Sequence, residues 1–133
     1  MTELGQTFEI YRAENGEAFF DCIGDHCMTD FPGLGKTYLV DFVQWRTRLQ
    51  FNSENSLTYT GVKHDGSLGA SETVTVVIDP VRDNLFLVTW QEGDKTTVVH
   101  LEDYATMKIV THITSPDGSF DIFHGTMTEI QSE

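Results

Sequence analysis

The sequence predicts an all-β domain, a small antiparallel up-and-down barrel, and three observations carry that expectation. Short runs rich in Val, Ile, Thr, Phe and Tyr follow one another along most of the 133 residues. They are separated by segments with turn chemistry, at a spacing of roughly 10–12 residues per strand. Helix signals are scarce.

The strand runs are "KTYLVDF", "RLQFN", "SLTYTGV", "ETVTVVI", "NLFLVTW", "TTVVHL", "MKIVTHIT" and "SFDIFHGTMTEI". Between them lie "NSEN", "KHDGSLGAS", "DPVRDN", "EGDK", "EDYA" and "SPDG", rich in Gly, Pro, Asn and Asp. A meander of about eight strands that closes on itself leaves no bare edge. A single domain, 1–133, is expected, with the barrel at 34–133 and an N-terminal extension at 1–33. In the extension, "TFEIYRAENGEAFF" reads as a hairpin turning at Asn15-Gly16 or as a short amphipathic lead-in. "GDHCMTDFPGLG" reads as loop, and the extension is expected to cap one barrel end.

Composition narrows the class of function. The net charge of −13 repels phosphate backbones and anionic lipid, so neither nucleic acid nor membrane is expected as a partner. No apolar run approaches the ~18 residues of a membrane span. The start, "MTELGQTFEIYRAENGE", lacks the basic and apolar regions of a signal peptide, so a cytoplasmic location is the default expectation.

Several motifs are weighed and set aside. "CIGDHC" offers Cys22, His26 and Cys27, but the cysteine spacing is unlike paired zinc ligands and the chain has two cysteines in all. A disulfide closing so short a loop is open, and two ordinary thiols is the plainer expectation. His100, His112 and His124 recur at equal intervals, an arrangement that suggests a three-histidine metal site spread over successive strands. Antiparallel neighbours run in opposite directions, so equal spacing does not place them at equal height. No metal and no cofactor is expected. "GLGK" and "DGSLGAS" are turns without the context of a P-loop or a nucleophile elbow.

The stretch "LFLVTWQEGDKTTVVHL" carries the functional expectation. Strand alternation puts Phe86, Val88, Trp90 and Glu92 on one face. If that face lines a closed lumen, desolvation raises the Glu92 pKa and equips it as an acid or base. If it does not, Glu92 is the first exposed residue of a turn. Tyr38, Phe42, Phe86, Val88 and Trp90 are the expected ligand-binding wall. Glu92, His100 and Tyr59 are the expected proton-moving groups.

The order "GKTYLVDF … LTYTGVKHDGSLGASE … VRDNLFLVTWQEGDKTTVVHLEDYATMKIVTHITSPDG" resembles the calycin, lipocalin-like barrels of the MoaF-like family. More distantly it is similar to the phenolic acid decarboxylases. The resemblance runs from about Gly35 to the C-terminus and is most specific at the W-x-E element. It implies a barrel with a ligand-sized lumen, a homodimer, and Glu92 at the position of the decarboxylases' glutamate. Their two tyrosines fall on Val40 and Phe42, and their arginine falls near Ser71, so phenolic acid decarboxylation is not expected. The resulting expectation is a small apolar or aromatic metabolite in the lumen, with a cofactor-free lyase, hydratase or isomerase as the enzymatic form. The alternative is a non-catalytic carrier of the calycin type.

Overall fold

The computed structural model describes residues 31–131 and the backbone of two short strands, β1 (Cys22–Ile23) and β2 (His26–Cys27). These two pair antiparallel, with Cys22 opposite Cys27. The thiol and metal expectations for this segment, and the hairpin expected at Asn15-Gly16, lie outside the described residues.

Eight further strands follow in chain order: β3 (Thr37–Asp41), β4 (Arg46–Ser53), β5 (Ser56–Val62), β6 (Leu68–Arg82), β7 (Leu85–Gln91), β8 (Thr97–Asp103), β9 (Lys108–Thr114) and β10 (Phe120–Ile130). Each pairs antiparallel with the next, and β10 returns to pair with β3. The result is the closed up-and-down barrel that the strand spacing predicts. No helix of the described residues is long and apolar enough to cross a membrane.

Alternation sets what faces inward. In β7, Phe86, Val88 and Trp90 are buried while the residues between them are partly exposed. In β8, Val98, His100 and Glu102 are buried, so two polar groups point into the lumen beside an apolar one. The outward positions also carry apolar groups. The paired row Val77, Thr89, Val99, His112 and Ile122 crosses β6 to β10, and Val77, Val99 and Ile122 are exposed.

Three turns at one end of the barrel share one chemistry. In each, an aspartate carboxylate accepts the backbone N–H two residues on: Asp65 from Ser67, Asp94 from Thr96, and Asp117 from Ser119, all at 2.9 Å. The residue between has positive φ, namely Gly66, Lys95 and Gly118. The two glycines are there because that region is open to them at no steric cost.

β6 is longer than its "ETVTVVI" run, because Ser71 continues the pairing with β5 and Leu68 resumes it across a register shift at Thr60/Val62. Pro80 is accommodated beside a second shift at Pro80/Arg82, where its missing N–H matters least.

The two ends differ. One is filled by aromatic rings: Phe31 meets Phe51 and Phe86 edge-on at 4.9 Å, and Tyr104 at 5.4 Å. Phe31 belongs to the stretch expected as an N-terminal extension, and it is buried inside this closed end. Gly125 marks a close approach of β10 to β3. A Cβ there would overlap the Asp41 carbonyl oxygen and lie 2.8 Å from Phe42 Cδ1. Gly125→Ala is therefore expected to lower stability by about 1–3 kcal/mol in urea unfolding, as overpacking does.

Candidate functional site

A cavity of about 90 Å³ lies toward the other end of the barrel. Trp45 enters from the β3–β4 turn, Thr47 and Leu49 from β4, and Tyr59 from β5. Trp90 and Glu92 come from β7 and the turn after it, Val98 and His100 from β8, and Ile113 from β9. The period-2 rule explains the set, since each strand contributes alternate residues.

The turn that delivers Trp45 is strained. Val43 has φ of 75° and is almost fully exposed, and Gln44 N donates to the Phe42 carbonyl at 2.8 Å across it. That is the i→i+2 bond of a γ-turn with a β-branched residue in the left-handed region. It places Phe42 inward, with its ring 4.6 Å from that of Trp45.

Four of the eight residues expected at the site line this cavity: Tyr59, Trp90, Glu92 and His100. The rings of Tyr59 and Trp90 stack at 6.0 Å, and Trp90 meets the His100 ring edge-on at 4.8 Å. The other four do not line it. Val88 and Phe86 are buried deeper in the core, and Phe86 packs with Phe31 and Tyr104 at the closed end. Tyr38 is also at that end, its pKa pushed up to about 12 by burial and then by Glu129 and Glu102. Phe42 is buried behind the site, 6.5 Å from the His100 ring. Val40, at the position of a decarboxylase tyrosine, is fully buried, and Ser71 is exposed.

Three hydrogen-bond groups organise the polar side. Glu92 Oε2 accepts from Trp90 Nε1 at 3.3 Å. Desolvation raises the Glu92 pKa above its ordinary 4.5, partly offset by the hydrogen bonds of Trp90 and Tyr59. Tyr59 donates to Glu72 Oε1 at 2.5 Å, and Glu72 Oε2 accepts the Gly93 N–H at 2.9 Å. Burial, and then the Glu72 hydrogen bond, raise the Tyr59 pKa well above the usual phenol range, so its hydroxyl keeps its proton. A Cβ at Gly93 would lie 2.9 Å from Glu72 Oε2, so glycine is what admits this contact.

The third group was not foreseen. His100 Nδ1 and Glu102 Oε2 are 2.9 Å apart, and Tyr104 donates to Glu102 Oε1 at 2.6 Å. Glu102 is completely buried. In the neutral tautomer that donates from Nδ1 to this carboxyl group, Nε2 is an acceptor. Nε2 has no hydrogen-bond partner among the described residues. The signal was legible: His-x-Glu within one strand puts both side chains on one face. Glu72 had no such local signal, because its partners come from β5 and the turn after β7.

The equally spaced histidines do not converge. His100 points inward, while His112 and His124 alternate with the inward residues of β9 and β10, and His112 packs against Phe120 outside. Among the described residues no group of three or more His, Cys, Asp or Glu could hold a metal ion.

The raised Glu92 pKa fixes a sign. Between pH 4.5 and its higher folded value, the native state binds more protons than the unfolded chain. Stability is then fully present below the unfolded pKa and is lost as pH rises through the folded one. Glu92→Gln removes that loss. Thermal melts should therefore show the variant more stable at neutral pH, with the difference shrinking as pH falls through the ordinary carboxylate range.

Comparison with known proteins adds the family. The family model described as MoaF-like matches residues 34–128. The chain belongs to the MoaF-like family. A solved structure of a protein from Burkholderia vietnamiensis, provisionally assigned as a beta-lactamase, is similar to this MoaF-like chain at 25% identity. It covers 74% of this chain and 96% of its own, with a TM-score of 0.69. The comparison with curated proteins gives no match. The matched region spans every residue of the MoaF-like cavity and omits Phe31 of the closed end.

Proposed function

We propose that this chain binds a small apolar or aromatic metabolite in the lumen and moves a proton on it without a cofactor, as a lyase, hydratase or isomerase. The supporting observation is that three titratable groups with different environments line one cavity. Glu92 is driven toward its neutral form by desolvation, Tyr59 keeps its proton, and His100 is oriented through Nδ1 by a buried carboxyl group. Glu92 is the acid or base, His100 Nε2 the second proton acceptor, and Trp45 and Trp90 form the apolar wall. Hydrolysis, as the Burkholderia vietnamiensis neighbour's assignment implies for that protein, would here use a water activated by Glu92 or His100, because the lining contains no serine.

A carrier is the second reading, favoured by the mainly aromatic and aliphatic lining. One experiment separates the two. Thermal shifts are recorded with small phenolic, enoic and other aromatic acids, their neutral analogues and the corresponding amines, and hits are assayed for turnover. A ligand at ~100 times its Kd stabilises by ~2.7 kcal/mol. Glu92→Gln should bind the productive hit yet turn it over ~10²–10⁴-fold more slowly. Binding without turnover establishes the carrier, and no shift with any compound removes both readings.

A further inference from the structure

Most side-chain donors of the cavity are already engaged, the Trp45 indole N–H being the exception among the lining residues. Trp90 Nε1–H goes to Glu92 and Tyr59 O–H to Glu72, while His100 Nδ1 is engaged with Glu102. The Thr47 hydroxyl donates to the Thr60 carbonyl at 3.0 Å. No lysine or arginine lines the cavity. Arg46, one residue before Thr47, has its guanidinium on the carbonyls of Lys63 and His64 at the exposed rim. The lumen thus offers acceptors and π faces: the Glu92 carboxyl group, His100 Nε2, and the rings of Trp45, Tyr59 and Trp90.

Such a lining discriminates by charge. A ligand carboxylate would find only the Trp45 indole N–H as a free side-chain donor and would lie beside two glutamates, which is costly in a desolvated site. An ammonium finds what the site lacks. It can donate to Glu92 and His100 Nε2 while lying against aromatic faces, whose quadrupole attracts cations most strongly for tryptophan. His100 is 3% exposed and lines the cavity, with its Nε2 free of any hydrogen bond from the described residues.

We propose that the lumen selects a small organic ammonium ion, seated between Glu92, His100 and the rings of Trp45 and Trp90. This rests on the reading of the lumen as a small-molecule site and names the class of molecule it takes. The 90 Å³ volume suits a compact ammonium or the head of an aromatic amine.

The test uses three matched probes on the full chain, benzylamine, benzyl alcohol and benzoate, titrated at neutral pH in 0.15 M salt. Trp45 and Trp90 are the two tryptophans of the chain and both line the cavity, so intrinsic fluorescence reports on the site. Salt at that level screens exposed charges beyond ~8 Å, which suppresses general attraction of cations to the acidic surface. Benzylamine is expected to bind at least ~10-fold more tightly than benzyl alcohol, with benzoate weakest. Glu92→Gln should bring benzylamine down to the level of benzyl alcohol. Equal binding of amine and alcohol, stronger binding of benzoate, or an amine preference untouched by Glu92→Gln overturns the proposal while leaving the lumen as a binding site. Absence of binding by all three overturns the proposal and the small-molecule reading together.

Discussion

His100→Leu is expected to cost about 3–5 kcal/mol of stability, because it leaves a buried carboxyl group with one of its partners gone. Glu102 has no exposed surface, and its two oxygens are met by His100 Nδ1 and the Tyr104 hydroxyl. Leucine has nearly the volume of histidine, so little of the loss comes from an empty space. The double variant His100→Leu/Glu102→Leu should recover part of the loss, since it removes the stranded carboxyl group while depriving the Tyr104 hydroxyl of its acceptor. Urea unfolding of the wild type, both single variants and the double variant forms a cycle that isolates the coupling. A loss below ~1 kcal/mol for His100→Leu, or a double variant no better than the single, would remove the pair from the structural account.

Phe51→Ala is the second large effect, again about 3–5 kcal/mol. Phe51 is 1% exposed on β4, and its ring meets Phe31 edge-on at 4.9 Å and Tyr38 at 6.4 Å. Its backbone also holds the chain that carries Phe31: Gly35 N donates to the Phe51 carbonyl and Phe51 N to the Lys36 carbonyl, both at 3.0 Å. Truncation removes the centre of the aromatic plug and leaves a void that a closed barrel relaxes around only partly. The melting temperature should fall by roughly 10–20 °C for a domain of this size. Gln50→Ala, one residue away and exposed, should stay within ~0.5 kcal/mol. Ligand affinity measured well below the melting temperature should be unchanged in Phe51→Ala, because that ring does not line the cavity. A matching loss of affinity would show that the two ends are coupled.

Both predictions concern residues of very different legibility. Phe51 sits in the run "RLQFN" and could be placed in a core from its type and strand alone. Glu102 looked like the start of the turn "EDYA", yet β8 runs on to Asp103 and carries it into the interior. The general weakness of sequence reading at strand ends explains the miss. The eight strands themselves were readable because side-chain alternation is a local property. Phe86 and Trp90 share a face of β7 by that rule, yet one packs at the closed end and the other lines the cavity. Position along the barrel axis separates them, and alternation says nothing about it.

What the sequence determined by itself was therefore local: strand identity, turn chemistry, and the inward pointing of Trp90 and His100. The antiparallel meander follows from short turns that leave consecutive strands little choice but to pair. The tertiary structure decided which inward residues meet. Tyr59 reaches Glu72 only through the β5–β6 register, and Glu72 reaches Gly93 only because the turn after β7 lies beside it. Those contacts join residues far apart in the chain, and their geometry is set by barrel closure and strand register, which no short stretch of sequence encodes.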